Sequence, residues 1–232
     1  MTSQEFLKQL DARIAQFDLL CHPFYKAWSA GELSRDDLRE YAEDYYHHVN
    51  AFPTYLAELS MRLEESELRR AVLANLADEK GWGDASDNHP EHAALWRDFA
   101  EGLGAGRSLL GHQPVAEIKH LTAFFHDVAS HGMPEEALAA FYAYESQVPR
   151  VAKEKARGLR EIYGADEKTC RYFSLHSTAD VYHAQIWRQQ LERMLEQNPQ
   201  AAEAALSAGE NAAKALWTAL DGIEARRMAK AA

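Results

Sequence analysis

The chain has 232 residues, of which 47% are hydrophobic, and a formal net charge of −11 at pH 7. This composition excludes disorder along the whole length, and the acidic balance disfavours general nucleic-acid binding because like charges repel. The sequence contains no run of 18 apolar residues, which is the length that a membrane-spanning helix needs, and no secretory signal is visible. The two cysteines, Cys21 and Cys170, form no paired motif. We therefore expect a cytoplasmic protein without a membrane or nucleic-acid partner.

Glycine and proline, the main turn-forming residues, are scarce at 12 and 7 residues, which favours long helices with short connections. Pro53 is expected to start a new helix, and Pro149 to interrupt one. No linker-like stretch divides the chain, so we expect one all-α domain over residues 1–232. Apolar spacing and capping residues predict helices, in chain order, over residues 3–19, 35–51, 53–64, 66–80, 90–102, 114–130, 134–147, 150–163, 167–197 and 199–228.

The strongest local cluster is formed by His176, Asp180 and His183 in the predicted helix 167–197. At the helical repeat, these three positions fall within about 60° of one face. Two imidazoles and a carboxylate on one stripe can bind a divalent transition metal. An inward-facing polar cluster without metal is the alternative, and the spacing leaves both open.

Two further carboxylates are weaker candidates. Glu145 lies in an apolar and aromatic run, and a buried carboxylate needs a partner or a metal. A salt bridge to Arg150 or Lys153 would also satisfy it, and for Glu145 taken alone this is the favoured interpretation. Glu79 lies near a helix end and is followed by two histidines, His89 and His92, but by itself such a glutamate is typical of a surface.

Taken together, the three carboxylates and three histidines come from separate helical regions and match the composition of a carboxylate-bridged di-metal site. Three carboxylates balance most of the charge of two divalent irons, and about six ligands leave open positions where O₂ could bind. The paired Glu-x-x-His motifs of ferritin-like proteins are missing from this sequence, so such a site needs another scaffold.

Several segments occurring in order make the chain resemble the haem-oxygenase-like di-metal oxidases that include the chlamydial proteins associating with death domains, and more distantly pyrroloquinoline-quinone synthase. The resemblance implies a seven-helix haem-oxygenase-like bundle without haem. It also implies a ligand set of Glu79, His92, Glu145, His176, Asp180 and His183, with His89 as a rival to His92 because the interval after Glu79 is longer here. The segments are LCHPFYKAW (20–28), YAEDYY (41–46), NLADE (75–79), HAALW (92–96), YESQVPR (144–150), EKARGL (154–159) and the His176 cluster.

By the same resemblance, the chain would make p-aminobenzoate for folate biosynthesis from an internal tyrosine. Tyr25 matches the consumed tyrosine and Lys155 the amino donor, while Tyr144 and Tyr172 match tyrosines that line the site. Two irons, or iron and manganese, O₂, an external reductant and a homodimer are implied as well. The alternatives are an oxidase acting on a free small molecule, a single-metal site and a non-enzymatic interaction protein.

The apolar stripe of the last predicted helix bears on the expected dimer. Ala212, Leu216, Leu220 and Ile223 recur at helical spacing. This stripe could pack within the chain or across a dimer interface, and the sequence does not decide between them.

Overall fold

A computed structural model describes residues 1–82, 90–106 and 108–231. Within these ranges the chain forms ten α-helices and three short 3₁₀ turns, without β-strands, so the all-α prediction is confirmed. The helices are α1 (Ser3–Ala15), α2 (Pro23–Ala30), α3 (Arg35–Arg62), α4 (Glu67–Lys80), α5 (His92–Gly102), α6 (Ala116–Ser130), α7 (Pro134–Glu145), α8 (Val148–Glu161), α9 (Glu167–Gln197) and α10 (Ala202–Ala231).

The expected count of seven helices is wrong for the described residues, because breaks divide the chain more finely. Pro149 has no backbone N–H, and the hydrogen-bond ladder is interrupted between Glu145 and Val148. One helical path therefore becomes α7 and α8. The break also ends α7 at Glu145, which leaves this carboxylate at a helix terminus in the interior.

Sequence reasoning missed α2, although its signals are local. The ring of His22 accepts a hydrogen bond from the Phe24 N–H, and Pro23 occupies the first helical position. Gly31 ends the helix with φ of 75°, a conformation that favours glycine. The segment matters because it carries Tyr25 and Trp28.

The predicted break at Pro53 is also wrong, since α3 continues through this residue to Arg62. A proline removes one hydrogen bond of the ladder, and the helix persists because residues on both sides of Pro53 are buried against the core. Val49, Phe52 and Leu56 lie in this packed stretch. Val49 and Phe52 line a cavity beside the candidate metal ligands, and the same helix carries Tyr41 of the aromatic pocket described below.

The last helix packs within the chain. The α10 stripe of Ala212, Leu216, Leu220 and Ile223 is buried, and α10 lies mainly against α7, α6 and α1. The apolar stripe therefore belongs to the core of one chain. Among the described helices, none combines the length and the apolarity that a membrane crossing requires.

Candidate metal centre and aromatic pocket

The first of two ligand clusters, called position one, joins Glu79 at the end of α4, His92 at the start of α5 and His176 in α9. His92 Nδ1 lies 3.0 Å from Glu79 Oε2 and 3.1 Å from His176 Nε2. All three side chains are buried. His176 Nδ1 donates to the Tyr172 carbonyl at 2.8 Å, which leaves Nε2 as the nitrogen with a lone pair for a metal.

The second cluster, position two, joins Glu145 at the end of α7 with Asp180 and His183 in α9. His183 Nδ1 lies 3.4 Å from Asp180 Oδ1 and 3.8 Å from Glu145 Oε1. In each cluster, one ligand atom per residue lies within 4.8 Å of the others. Both positions therefore offer convergent nitrogen and oxygen ligands.

Glu145 is held by two hydrogen bonds that the sequence reasoning missed. Asn75 Nδ2 donates to Oε1 at 3.0 Å, and the indole N–H of Trp187 donates to Oε2. The proposed salt bridge to Arg150 is wrong, since Arg150 pairs with Asp18 at 3.0 Å; Lys153 is exposed. Asn75 lies four residues before Glu79, so the two share a helix face, and this spacing is the one local sequence signal for a role of Asn75.

The electrostatics of the clusters favour a cation. Burial disfavours the ionised form of Glu79, but the charge of His92 and its hydrogen bond to this carboxylate outweigh the effect of burial. The pKa of Glu79 is therefore lowered. For Glu145, burial dominates, and the nearby carboxylate of Asp180 adds to it, so the pKa is raised. His183 Nδ1 is buried without a well-formed hydrogen bond among the described residues. Divalent ions would neutralise the carboxylates and use this nitrogen, so the donor set fits two metals.

A second group of predicted residues meets in an aromatic pocket between α2, α3 and α8. Tyr25 Oη lies 3.0 Å from Tyr41 Oη, and Lys155 Nζ donates a hydrogen bond to the same Tyr41 oxygen. Lys155 Nζ also lies 4.4 Å from the ring centroid of Tyr25. Tyr41 is a residue that sequence reasoning passed over, since it lies far from both partners along the chain.

Lys155 has no carboxylate partner among the described residues, although its side chain is buried. Aromatic rings surround the nitrogen, and burial in this environment lowers its pKa well below the ordinary lysine value. The amine is therefore neutral more readily than a surface lysine. A neutral amine is a nucleophile, whereas an ammonium group is not.

Aromatic side chains connect position one to this pocket. The Tyr172 ring stacks on His176 with centroids 3.9 Å apart, and Trp96 follows at 4.8 Å from Tyr172. Tyr41 lies 5.9 Å from Trp96 and 6.2 Å from Tyr25. Tyr144 lines both the cavity beside the ligand clusters and the cavity beside Tyr25. The structure thus brings all ten predicted site residues into one region, while His89 lies outside the described residues.

An all-α bundle with two buried clusters of carboxylate and imidazole side chains has the donor groups of a helical metalloprotein. Residues 39–217 match the sequence model of the family described as iron-containing redox enzyme, in the haem-oxygenase-like group. The chain belongs to this family, so the resemblance is confirmed and the protein is an oxidoreductase.

Named relatives and solved structures agree with this assignment. The chain is 42% identical over 184 residues to 4-aminobenzoate synthase of Chlamydia muridarum, covering 78% of this chain and 75% of the relative. It is 39% identical over 234 residues to 4-aminobenzoate synthase of Nitrosomonas europaea, covering 96% and 92%. A TenA homologue from Pseudomonas syringae pv. tomato superposes with a TM-score of 0.77 at 16% identity, over 95% of this chain and 91% of that one. The last similarity concerns the fold alone.

Proposed function

We propose that this chain is an O₂-dependent two-metal oxidase that makes 4-aminobenzoate for folate biosynthesis from its own Tyr25, with Lys155 as the nitrogen donor. The names of the Chlamydia and Nitrosomonas relatives support the product. The proposal treats residues 1–232 as one cytoplasmic domain, working as a homodimer with an external reductant.

Position one and position two would hold the two metals, as two irons or iron with manganese. When bound, reduced metal ions would supply electrons to O₂ and so provide the oxidising power for the reaction. Three buried carboxylates and three imidazoles are the donor set that this role requires. His92 is the proposed ligand after Glu79, because its Nδ1 lies within hydrogen-bonding distance of both other members of position one.

The observation that carries the proposal is the meeting of Tyr25 and Lys155 in one buried pocket. Each side chain is hydrogen-bonded to the Tyr41 hydroxyl, and the amine nitrogen lies against the face of the Tyr25 ring. A structural lysine would instead extend to the surface or pair with a carboxylate. A neutral amine beside a phenol is the arrangement that ring amination needs.

The atoms of 4-aminobenzoate can be matched to these two side chains. The product is a six-carbon ring with a carboxylate carbon para to a nitrogen. A tyrosine ring carries Cβ para to its hydroxyl, so cleavage of Cα–Cβ and oxidation of Cβ would provide the carboxylate. The Lys155 nitrogen would bond to the ring carbon that carried the hydroxyl, and the hydroxyl oxygen would leave as water. The bond between Nζ and Cε of Lys155 would break as Cε is oxidised to an aldehyde, and Cα of residue 25 would take a hydrogen to become glycine. O₂ would be the oxidant for Cβ and Cε.

Tyr41, Trp96 and Tyr172 would carry the oxidising equivalent between position one and Tyr25. Successive ring centroids are separated by no more than 6.2 Å along this route. Burial raises the pKa of Tyr25, Tyr41 and Tyr172, so each phenol keeps its proton until it is oxidised. Tyr144 borders the route from the side of position two.

Tyr25→Phe tests the proposal directly. This change keeps the ring but removes the hydroxyl, so we expect loss of 4-aminobenzoate formation with unchanged metal content. The measurement is product mass spectrometry after metal-loaded protein is exposed to O₂ and reductant. Protein carrying ¹³C-ring-labelled tyrosine should release labelled product, and the peptide containing residue 25 should lose its side chain.

Tyr182→Phe is the matched control, because Tyr182 is an exposed tyrosine in α9 and should be dispensable. The wild-type and Tyr182→Phe proteins should both relieve a 4-aminobenzoate auxotroph, and Tyr25→Phe should not. Unlabelled product from labelled protein, or continued synthesis by Tyr25→Phe, would refute the internal source.

A free small-molecule substrate is the second candidate, because a cavity adjoins the same residues. It has a volume of about 30 Å³, enough for a water molecule, and is lined by Tyr25, Tyr144, Lys155 and apolar side chains. A small aromatic or amino-acid substrate would enter only if these side chains moved apart. Dependence of product formation on an added compound, with intact Tyr25 after the reaction, would favour this candidate.

A further inference from the structure

Asp78 is a carboxylate next to the ligand clusters that the proposed function does not use. It precedes Glu79 on α4, and its Oδ2 lies 3.2 Å from His183 Nε2. Neighbouring helical residues point about 100° apart, so the end of α4 can direct Glu79 to position one and Asp78 to position two. The Asp78 side chain is about half exposed, at 54%, whereas that of His183 is 4% exposed.

The contact with Asp78 decides which nitrogen of His183 carries the lone pair that a metal could bind. When Nε2 donates its proton to Asp78, Nδ1 carries the lone pair, and Nδ1 is the atom nearest to Asp180 and Glu145. A metal-binding histidine commonly has its other nitrogen held in this way, and the hydrogen bond both orients the ring and makes it a stronger ligand.

Positions one and two differ in the group that accepts a hydrogen bond from the ligand histidine. At position one, the corresponding hydrogen bond of His176 goes to the neutral carbonyl of Tyr172. At position two, the acceptor is a carboxylate. Position one also has one carboxylate among its ligands and position two has two, Glu145 and Asp180. The charge of Asp78 therefore adds to a difference that the ligands already create.

We infer that Asp78 is a positioning residue for His183 and strengthens metal binding selectively at position two. This inference rests on the proposed two-metal centre and deepens it. The two metal positions are thus chemically unequal: position two is the more anionic and holds its ion through a carboxylate-supported histidine.

Metal binding tests this inference without recourse to activity. Metal-free protein is titrated anaerobically with Fe²⁺ against a coloured ferrous chelator, for wild type, Asp78→Ala and Asp78→Asn. We expect the affinity for one of the two ions to fall by about 10- to 100-fold in Asp78→Ala, with the other unchanged. The affinity should fall less in Asp78→Asn, because the asparagine amide oxygen can still accept a hydrogen bond from His183 Nε2.

Asp127→Asn is the matched control. Asp127 lies 3.2 Å from His131 on the exposed surface of α6, so the control removes a carboxylate from a similar Asp–His pair. It should bind both ions as wild type does. Thermal unfolding checks that the half-exposed Asp78 can be changed without loss of the fold.

Three results would overturn the inference. Asp78→Ala could bind both ions with wild-type affinity, it could lose both equally, or Asp78→Asn could bind more weakly than Asp78→Ala. A wild-type protein that binds no pair of Fe²⁺ ions would instead contradict the proposed two-metal centre. Two ions bound with the same affinities in wild type and Asp78→Ala would reject only the role of Asp78.

Discussion

Lys155 places an amine in apolar surroundings, which costs stability at neutral pH. Burial lowers the pKa of its native state well below the ordinary value of 10.5. Between the lowered pKa and the ordinary value, the unfolded chain binds a proton that the native chain does not. The native state is therefore increasingly destabilised as the pH falls through this range. Such a cost is typical of a residue retained for chemistry.

Replacing Lys155 by methionine should raise the free energy of unfolding at pH 7, because an apolar side chain of similar length needs no deprotonation. The wild-type protein should gain stability from this site as the pH rises, by up to about 1.4 kcal/mol per pH unit, and Lys155→Met should lack that slope. Urea unfolding at about pH 6 to 9 measures the difference.

Lys153→Met is the control for this measurement, since Lys153 is an exposed lysine on the same helix. It should keep the wild-type pH dependence. A pH dependence shared by wild type and Lys155→Met would show that the Lys155 amine is charged in the native protein.

Single residues of the proposed metal centre and of the aromatic pocket could be predicted to different degrees. His176, Asp180 and His183 share a face by helical spacing, which the sequence displays directly. Glu79 was only a weak candidate by itself, and the choice of His92 over His89 required the family resemblance, because the distance between their helices is set by tertiary packing. Tyr41, Asn75 and Trp187 escaped prediction, since their partners lie 16 to 114 residues away along the chain. Such contacts have no local periodicity.

At the scale of the helices, the close contact of α2 and α8 depends on Gly158. A Cβ atom added at this residue would lie 2.7 Å from Trp28 Nε1 and 2.9 Å from Trp28 Cδ1. The Trp28 side chain is fully buried and has no room to withdraw. A glycine inside a helix is unfavourable on its own, so the approach of α2, which carries Tyr25, to α8, which carries Lys155, explains it.

Gly158→Ala should therefore destabilise the protein, although alanine is the better helix former. The gain of about 1 kcal/mol in helix propensity is outweighed by overpacking of about 1–3 kcal/mol. Thermal unfolding should show a lower Tm. Gly106→Ala is the control, because its added Cβ meets no atom within 4 Å. A Tm at or above the wild-type value for Gly158→Ala would mean that α2 and α8 can separate freely.

Element boundaries show where sequence reasoning succeeds. The starts of α3 and α9 agree with the predicted starts at residues 35 and 167, and in the structure Ser34 and Asp166 cap these helices through local hydrogen bonds. The continuity of α3 through Pro53 was not predictable, because burial on both sides overrides the local preference of proline. The long α9 was also anticipated, and it carries three of the six proposed ligands.

At the scale of the whole molecule, a buried ion pair joins α10 to α3. Arg226 in α10 donates to both oxygens of Asp44, and His112 Nε2 lies 2.7 Å from Asp44 Oδ1. Asp44 is fully buried, on the helix that also carries Tyr41 and Tyr45. A buried carboxylate depends on its partners, so this cluster links the fold's last helix to the aromatic pocket.

Arg226→Met should lower the free energy of unfolding by about 3 kcal/mol, because it leaves Asp44 buried without its cation. Chemical denaturation measures the loss. Arg193→Met removes an arginine from an exposed pair with Glu67 and should cost no more than about 1 kcal/mol. Equal effects of the two substitutions would contradict the stabilising role of the Arg226–Asp44 pair.

The burial of Tyr25 has a consequence for the life of the protein. Under the proposed reaction, each product molecule would remove a ring that is only 3% exposed from the interior of the enzyme. Loss of an aromatic side chain from a core typically costs about 3–5 kcal/mol, against a total stability of about 5–15 kcal/mol. A spent chain would thus carry a void and unfold more often than an unused one. Cellular proteases, which remove unfolded chains, would then clear used enzyme selectively.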